Sequence, residues 1–133
     1  MTEFYIEKKA WNKVISYAQA AWDEHQAEIG GMMVVVKDTS GDWEVKDPKI
    51  LKQRITASNT HLDKKELAKY YTKTAKKYKN NEFRFCWWHS HHTMGAFWSG
   101  TDTSTIDEFN EGDFSFALVV NLKEEYKFRV SVW

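Results

Sequence analysis

The stretch CWWHSHHTMGAFWSGTD, residues 86–102, sets this chain apart, because histidines, serines and an aspartate follow a run of aromatic residues. The segment FRFCWWHSH, residues 83–91, is apolar on both faces, which predicts a strand in the middle of a sheet. Side chains alternate along a strand, so His89 and His91 should project from one face while Ser90 points away. Two imidazoles on one face can bind one ion, and the stretch therefore indicates a metal site at the end of a central strand.

Asp102 is the candidate for a third ligand, since a catalytic zinc site has three protein ligands and an open position for water. It lies at the start of a short helix predicted over residues 101–111, from which a loop can return it to the strand end. Ser99 and Asp102 also have the S-x-x-D spacing of a helix capping box. A histidine-rich turn before a capped helix is thus an alternative to a metal site, although one helix start can serve both purposes.

The rest of the chain predicts helices and strands of a mixed α/β (α+β) domain. Apolar residues recur at steps of three and four in residues 8–24 and 63–79, which predicts two helices, the second with Asp63 and Glu66 as a capping pair. The predicted strands, including a meander formed by the first three, are GGMMVVVKD (30–38), DWEV (42–45), ILKQRITAS (50–58), FRFCWWHSH (83–91), FSFALVVN (114–121) and YKFRVSVW (126–133). In the third strand, Gln53 shares a face with apolar Leu51 and Ile55.

Composition restricts the classes of function. A length of 133 residues, of which 42% are hydrophobic, is enough for one domain, 1–133. Nineteen basic residues balance nineteen acidic ones, so no overall field attracts nucleic acid or an anionic membrane. No segment approaches the ~20 apolar residues of a membrane span, and we expect a soluble, cytoplasmic protein. The single cysteine, Cys86, excludes an internal disulfide and a multi-thiolate zinc site.

The second predicted helix is rich in lysine. Residues 63–79 contain two acidic residues and seven lysines, Lys64, Lys65, Lys69, Lys73, Lys76, Lys77 and Lys79. This composition is typical of a solvated helix surface, and it would also suit a docking face for an acidic partner.

The spacing of the polar residues resembles that of a known family. The pattern His-x-His, seven residues, Ser-x-x-Asp is met by His89, His91, Ser99 and Asp102, and it resembles the motif of the JAMM (MPN-plus) zinc metalloproteases. That family also has a glutamate at the start of a buried strand, followed three residues later by glycine. The segment AEIGGMMVVV supplies Glu28 and Gly31 in that place.

The resemblance implies a fold and a chemistry. The fold is a curved mixed β-sheet flanked by helices, related in topology to cytidine deaminases. One Zn²⁺ per chain would be held by His89, His91 and Asp102. Glu28 would act as general acid and base, taking a proton from water and passing it to the leaving amine, and the Ser99 hydroxyl would donate to the oxyanion. The implied activity is hydrolysis of a peptide or isopeptide bond in a protein or peptide substrate, possibly ubiquitin-like, with no nucleic acid partner.

Two positions depart from the family pattern and bear on the substrate. The prolines that usually follow the second histidine and precede the serine are His92 and Trp98 here. We expect His92, Phe97 and Trp98 to contact the substrate, whereas Trp87 and Trp88 should pack in the core. Because the predicted elements use nearly the whole chain, it has no room for insertions that recognise a ubiquitin linkage, and we expect cleavage at the tail of a ubiquitin-like or carrier protein.

Three alternatives belong to other classes. A zinc nucleobase deaminase needs a P-C-x-x-C arrangement, which a chain with one cysteine excludes. A non-catalytic MPN-type scaffold typically lacks metal ligands, none of which is missing here. A protein of the RadC type carries a similar histidine and S-x-x-D pattern and has DNA-associated roles, but the neutral net charge and the lack of a basic DNA-reading motif count against it.

Overall fold

The computed structural model describes residues 2–55, 60–92, 95–110 and 112–133. Within these ranges the helices are α1 (Lys8–His25), α2 (Lys64–Lys77) and α3 (Gly100–Glu108). The strands are β1 (Phe4–Ile6), β2 (Gly30–Lys37), β3 (Trp43–Ile50), β4 (Gln53–Ile55), β5 (Thr60–Leu62), β6 (Phe83–Ser90), β7 (Phe114–Val120) and β8 (Tyr126–Val132).

Six strands form the main sheet in the order β1-β3-β2-β6-β7-β8. The pairs β1/β3 and β6/β7 are parallel, and the other neighbours are antiparallel. The sheet is therefore mixed, and β6 lies in its middle, between β2 and β7. Both features were predicted from the sequence and are confirmed.

Helix α1 covers one face of the sheet. Its buried residues Val14, Ala18 and Ala21 recur at steps of four and three, so one helical stripe meets the sheet. Trp88, which has no exposed surface, belongs to the core on this side and stacks on Tyr17 with ring centroids 6.1 Å apart. The helix follows its predicted span to within one residue and ends at His25, after which Gln26 adopts a left-handed conformation.

Helices α2 and α3 pack on the opposite face. Met32 of β2 and Trp87 of β6 form a second core there with Ile106 of α3, and Leu67 of α2 packs against it. Asp63 caps α2, accepting hydrogen bonds from the main-chain N–H groups of Lys65 and Glu66. The cap confirms the predicted start of α2, which ends two residues before the predicted limit. The predicted end of α3 at Glu111 is wrong: the helix ends at Glu108, and Phe109 is its C-cap.

The predicted meander is wrong at its third strand. Strand β3 runs through Pro48 to Ile50 as one strand, where the sequence predicted a break. The register against β2 shifts between Met32 and Val34, and Asp47 has φ +55°, so a bulge accommodates the proline, which lacks an N–H group. Strand β4 then leaves the main sheet and pairs with β5. Residues 56–58, also predicted as strand, lie outside the described residues.

The remaining features of the fold are a short first strand, three buried residues of β6 and the polarity of the helices. Strand β1 was not predicted, because three residues are too few for a periodic pattern. Trp87 and Trp88 are buried, as is Cys86, which confirms their predicted place in the core. None of the described helices is long and apolar enough to cross a membrane.

Candidate metal centre

His89 and His91 lie at the end of β6, the strand in the middle of the main sheet: His89 within the strand and His91 just after it. His89 pairs with Gly30 of β2 and Val119 of β7, so its main chain is fixed from both sides. The N–H of His91 donates to the carbonyl of Val120 at 2.8 Å, which extends the ladder one residue beyond the strand. The two imidazole rings meet edge to face, with centroids 4.7 Å apart. As predicted from strand alternation, both rings lie on the same side.

Asp102 reaches these rings from the first turn of α3. Ser99 is the N-cap: its hydroxyl oxygen accepts from the N–H of Asp102 at 3.0 Å, and its own N–H donates to Asp102 Oδ2 at 3.0 Å. The carboxylate lies between the imidazoles, with Oδ1 3.0 Å from His89 Nε2 and Oδ2 3.0 Å from His91 Nε2. Asp102 therefore takes part in the capping box and also contacts both histidines.

The three side chains fit a metal ion. Ligand atoms of His89, His91 and Asp102 all lie within 4.8 Å of one another, and all three residues are buried. Tetrahedral zinc with bonds of about 2.0–2.2 Å separates its ligand atoms by about 3.3–3.6 Å, so small rotations would complete the site. His89 Nε2 is buried without a hydrogen-bond partner among the described residues, although Asp102 is near. A cation at this position would satisfy that nitrogen.

The electrostatic state of the cluster also suits a cation. Burial lowers the pKa of His89, which favours the neutral imidazole. Burial would raise the pKa of Asp102, but the imidazoles of His89 and His91, each 3.0 Å from one of its oxygens, outweigh it and hold that pKa well below its usual range. Neutral imidazole and ionised carboxylate are the forms that bind metals.

His91 is oriented by a contact behind its ring. Its Nδ1 lies 3.1 Å from the carbonyl oxygen of Gly95 and donates to it. Burial lowers the pKa of His91, but the bonds to Asp102 and Gly95 outweigh it and raise the pKa overall. The Gly95 contact leaves Nε2 directed at Asp102, which is the arrangement that supports a metal-binding histidine.

Glu28 is buried beside the cluster, with 3% of its surface exposed. It comes two residues before β2 and is not among the ligand group. Burial raises the pKa of its carboxyl group to about 7, with opposing contributions from His91, which lowers it, and Asp102, which raises it. The sequence prediction placed Glu28 at the start of a buried strand, and the structure brings its carboxyl group within electrostatic reach of two predicted ligands.

Two side chains that the sequence did not single out hold the segment after Glu28. The hydroxyl of Ser90 accepts from the N–H of Ile29 at 3.0 Å. The side-chain amide of Gln53 accepts from the N–H of Gly30 at 2.9 Å and donates to its carbonyl at 2.7 Å. The partner of Gln53 lies 23 residues away along the chain, so no local pattern predicts this contact. The only sign in the sequence was a glutamine on the apolar face of a predicted strand.

The residues predicted to contact substrate occupy different environments. Phe97 is 46% exposed and meets the ring of His91 edge to face at 4.9 Å. Trp98 is half-buried and packs against the core beneath α3. His92 has φ +45° and stacks on Trp22 of α1 with centroids 4.3 Å apart. Of the three, Phe97 is the one that combines wide exposure with a contact to a predicted ligand.

A comparison with known families bears on this geometry. The sequence profile of the prokaryotic homologs of the JAB domain matches residues 10–132. The chain belongs to this family. JAB and MPN are names for the same domain, so the resemblance of the sequence to the JAMM (MPN-plus) group is confirmed. The curled mixed sheet and flanking helices are the JAB architecture. A search of curated proteins finds no match.

Proposed function

We propose that this JAB-family chain is a zinc-dependent peptidase that hydrolyses an amide bond at the tail of a protein or peptide. One observation carries the proposal. Buried nitrogens of His89 and His91 and the carboxylate of Asp102 come together within 4.8 Å, beside the buried carboxyl group of Glu28. Two imidazoles, which bind metals in the neutral form, and one carboxylate suit Zn²⁺, and three protein ligands leave a position for water.

Each residue has a separate task in this proposal. Zn²⁺, when bound, would supply Lewis-acid polarisation of a carbonyl and a water that ionises near pH 7. His89, His91 and Asp102 would hold the ion. Glu28 would take a proton from water and pass it to the departing amine, and its pKa of about 7 fits an acid and base that works at neutral pH.

Ser99 would stabilise negative charge that develops on the substrate carbonyl. Its hydroxyl oxygen accepts from the N–H of Asp102, which leaves the hydroxyl proton for donation. One such donor contributes roughly 10²–10³ in rate. The capping box therefore supports both the ligand Asp102 and the proposed donor Ser99.

The proposed substrate is an extended tail. Connections within the main sheet are short: residues 38–42 and 121–125 link neighbouring strands with five residues each. Such connections are too short to form a second surface for a particular ubiquitin linkage. Phe97, exposed next to His91, offers an apolar contact for a residue of the tail. A ubiquitin-like or carrier protein with a flexible C-terminus has the required shape.

The metal is tested by elemental analysis of protein purified without added metal, and we expect about one zinc per chain. His91→Ala should lose the metal because it removes a ligand. His92→Ala is the matched control and should keep it, since His92 stacks on Trp22. Zinc near zero, with no binding when zinc is supplied, would contradict the metal site.

The activity is tested with two sets of substrates. Fusions that extend the C-terminal tail of a ubiquitin-like protein should be cut, whereas linkage-defined ubiquitin dimers should be cut weakly and without preference. Strong preference for one dimer, with the fusions untouched, would contradict the proposed substrate. A chain that binds zinc and cuts neither set would be the non-catalytic scaffold.

A further inference from the structure

A second concave surface lies on the sheet face that carries the metal ligands. We call it the lysine groove: a cavity of about 430 Å³ between α2 and β3. Val34, Leu51 and Tyr70 form its apolar lining, and Lys49, Lys69, Lys73 and Lys77 surround it. Val34 is four residues beyond Gly30 on β2, so the groove lies about 13 Å from the strand position that pairs with His89.

The lysine groove carries an excess of positive charge. Two carboxylates, Asp47 and Glu66, line it with the four lysines. Lys69 lies 3.5 Å from Glu66 in an exposed pair, which is a weak contact. Lys49 and Lys73 are exposed and form no ion pair with any residue that the structure describes. Two lysines therefore have their charge available at a surface of an otherwise neutral chain.

One end of the groove is fixed by a polar network. Asp47 accepts hydrogen bonds from the Tyr78 hydroxyl and from Lys77 Nζ, the latter at 2.9 Å. Burial would raise the pKa of Asp47, but these two bonds outweigh it and lower the pKa overall. The network joins the bulge of β3 to the end of α2, so the groove has a wall that is already formed before any partner binds.

We propose that the lysine groove docks an acidic, extended segment of a partner protein. Carboxylate side chains of the segment would pair with Lys49 and Lys73, and an apolar side chain would rest on Leu51 and Tyr70, which are partly exposed. The main chain of a peptide has N–H groups that can donate to the carboxylates of Asp47 and Glu66, whereas the sugar–phosphate backbone of a nucleic acid has no N–H donor. The basic side chains that line the groove, among the residues that the structure describes, are lysines, and none is an arginine that binds phosphate through two bonds.

The proposal is tested by fluorescence anisotropy with the full chain as purified. The probe is a labelled octapeptide, Glu-Asp-Leu-Glu-Asp-Leu-Glu-Asp, and the comparison peptide has Gln and Asn in place of the acids. We expect binding of the acidic peptide alone, weakened when NaCl rises from about 0.1 to 0.5 M, because exposed charges are screened. Binding is read without any cleavage, so the result does not depend on the proposed peptidase activity.

Paired variants locate the binding surface. Lys49→Glu with Lys73→Glu should raise the dissociation constant about tenfold or more. Lys64→Glu with Lys65→Glu makes the same change in net charge at the start of α2, outside the groove, and should change the constant less than twofold.

Three results would overturn the proposal. One is no binding at millimolar acidic peptide. Another is equal loss in both pairs of variants, which would show attraction by net charge alone. The third is tighter binding of a single-stranded DNA octamer that the Lys49 and Lys73 pair abolishes, which would make the groove a nucleic acid site.

Discussion

Glu28 combines a buried position with a proposed role that requires it to exchange protons. The residue is 3% exposed, and burial brings the pKa of its carboxyl group to about 7, near the pH at which the proposed chemistry would run. Ser90 and Gln53 fix the two residues that follow it. Proton transfer by Glu28, metal binding and the placement of the main chain after Glu28 can therefore be tested by separate substitutions.

Glu28→Gln should keep the fold and the zinc while the rate falls by at least ~10², because the amide has nearly the same shape but cannot take a proton. The measurements are turnover of the tail fusion and zinc content of the same sample. Glu24→Gln, at the exposed end of α1, is the control and should leave the rate unchanged. Turnover of Glu28→Gln at the parent rate would assign the acid and base to another group.

Gln53→Ala should lower kcat about ten- to a hundredfold with KM nearly unchanged, since Gly30 loses both of its bonds to the side-chain amide and Glu28 is less well placed. Steady-state kinetics with the tail fusion give both constants, and zinc content should stay the same. Lys52→Ala, an exposed neighbour, serves as the comparison. An unchanged kcat would show that Gln53 has no positioning role.

At the scale of elements, the long helices were predictable because their apolar residues recur with a strong period. The three-residue strands β1 and β5 were not, because they are too short to show a period. Helices α1 and α2 differ from their predicted ends by two residues or fewer. The continuation of β3 through Pro48 depends on a bulge at Asp47, and the departure of β4 from the main sheet depends on its pairing with β5. A pattern of apolar residues encodes neither feature. The three residues that could hold a metal lie within 14 residues and follow a fixed spacing, so the sequence was enough to predict that they meet.

The contact between β2 and β3 at Gly31 depends on the absence of a side chain. A Cβ at Gly31 would overlap the carbonyl oxygen of Lys49 and lie 2.8 Å from Trp88 Nε1. Gly31→Ala should therefore lower the free energy of unfolding by about 1–3 kcal/mol, the usual cost of overpacking. Urea unfolding measures it. Gly100→Ala is the control: apart from its chain neighbours and the backbone of its own helix, no described residue has an atom within 4 Å of the added Cβ, and stability should be unchanged or slightly higher.

At the scale of the whole molecule, apolar cores on opposite faces of one sheet hold the fold. The group of His89, His91, Asp102 and Glu28 adjoins one of these cores, since His89 stacks on Trp87. Stability should therefore respond to pH through the buried carboxyl group of Glu28. In the folded chain its pKa is about 7, above its ordinary value of 4.5. Because the folded chain holds this proton more tightly than the unfolded chain, the raised pKa stabilises the fold at pH values below 4.5. This stabilisation is lost as the pH rises through 7.

The metal-free parent should accordingly lose stability relative to Glu28→Gln between pH 5 and 8. The measurement is Tm by thermal denaturation in the presence of a chelator, with Glu24→Gln as the comparison. The two Tm values should be close at pH 5, where Glu28 is protonated, and the glutamine variant should melt higher at pH 8. A difference that does not change with pH would show that Glu28 titrates near its ordinary value.

The pairing of β2 with β6 also has a consequence for the order of events during folding. The proposed ligands His89, His91 and Asp102 are close along the chain, and a short segment closes within about 10–100 ns. Glu28 reaches them through strand pairing between segments about 60 residues apart, which is slower to form. Under the proposed function, a chain that has captured zinc but has not completed its sheet would hold the ion without the acid and base, and it would not yet cut the chains around it.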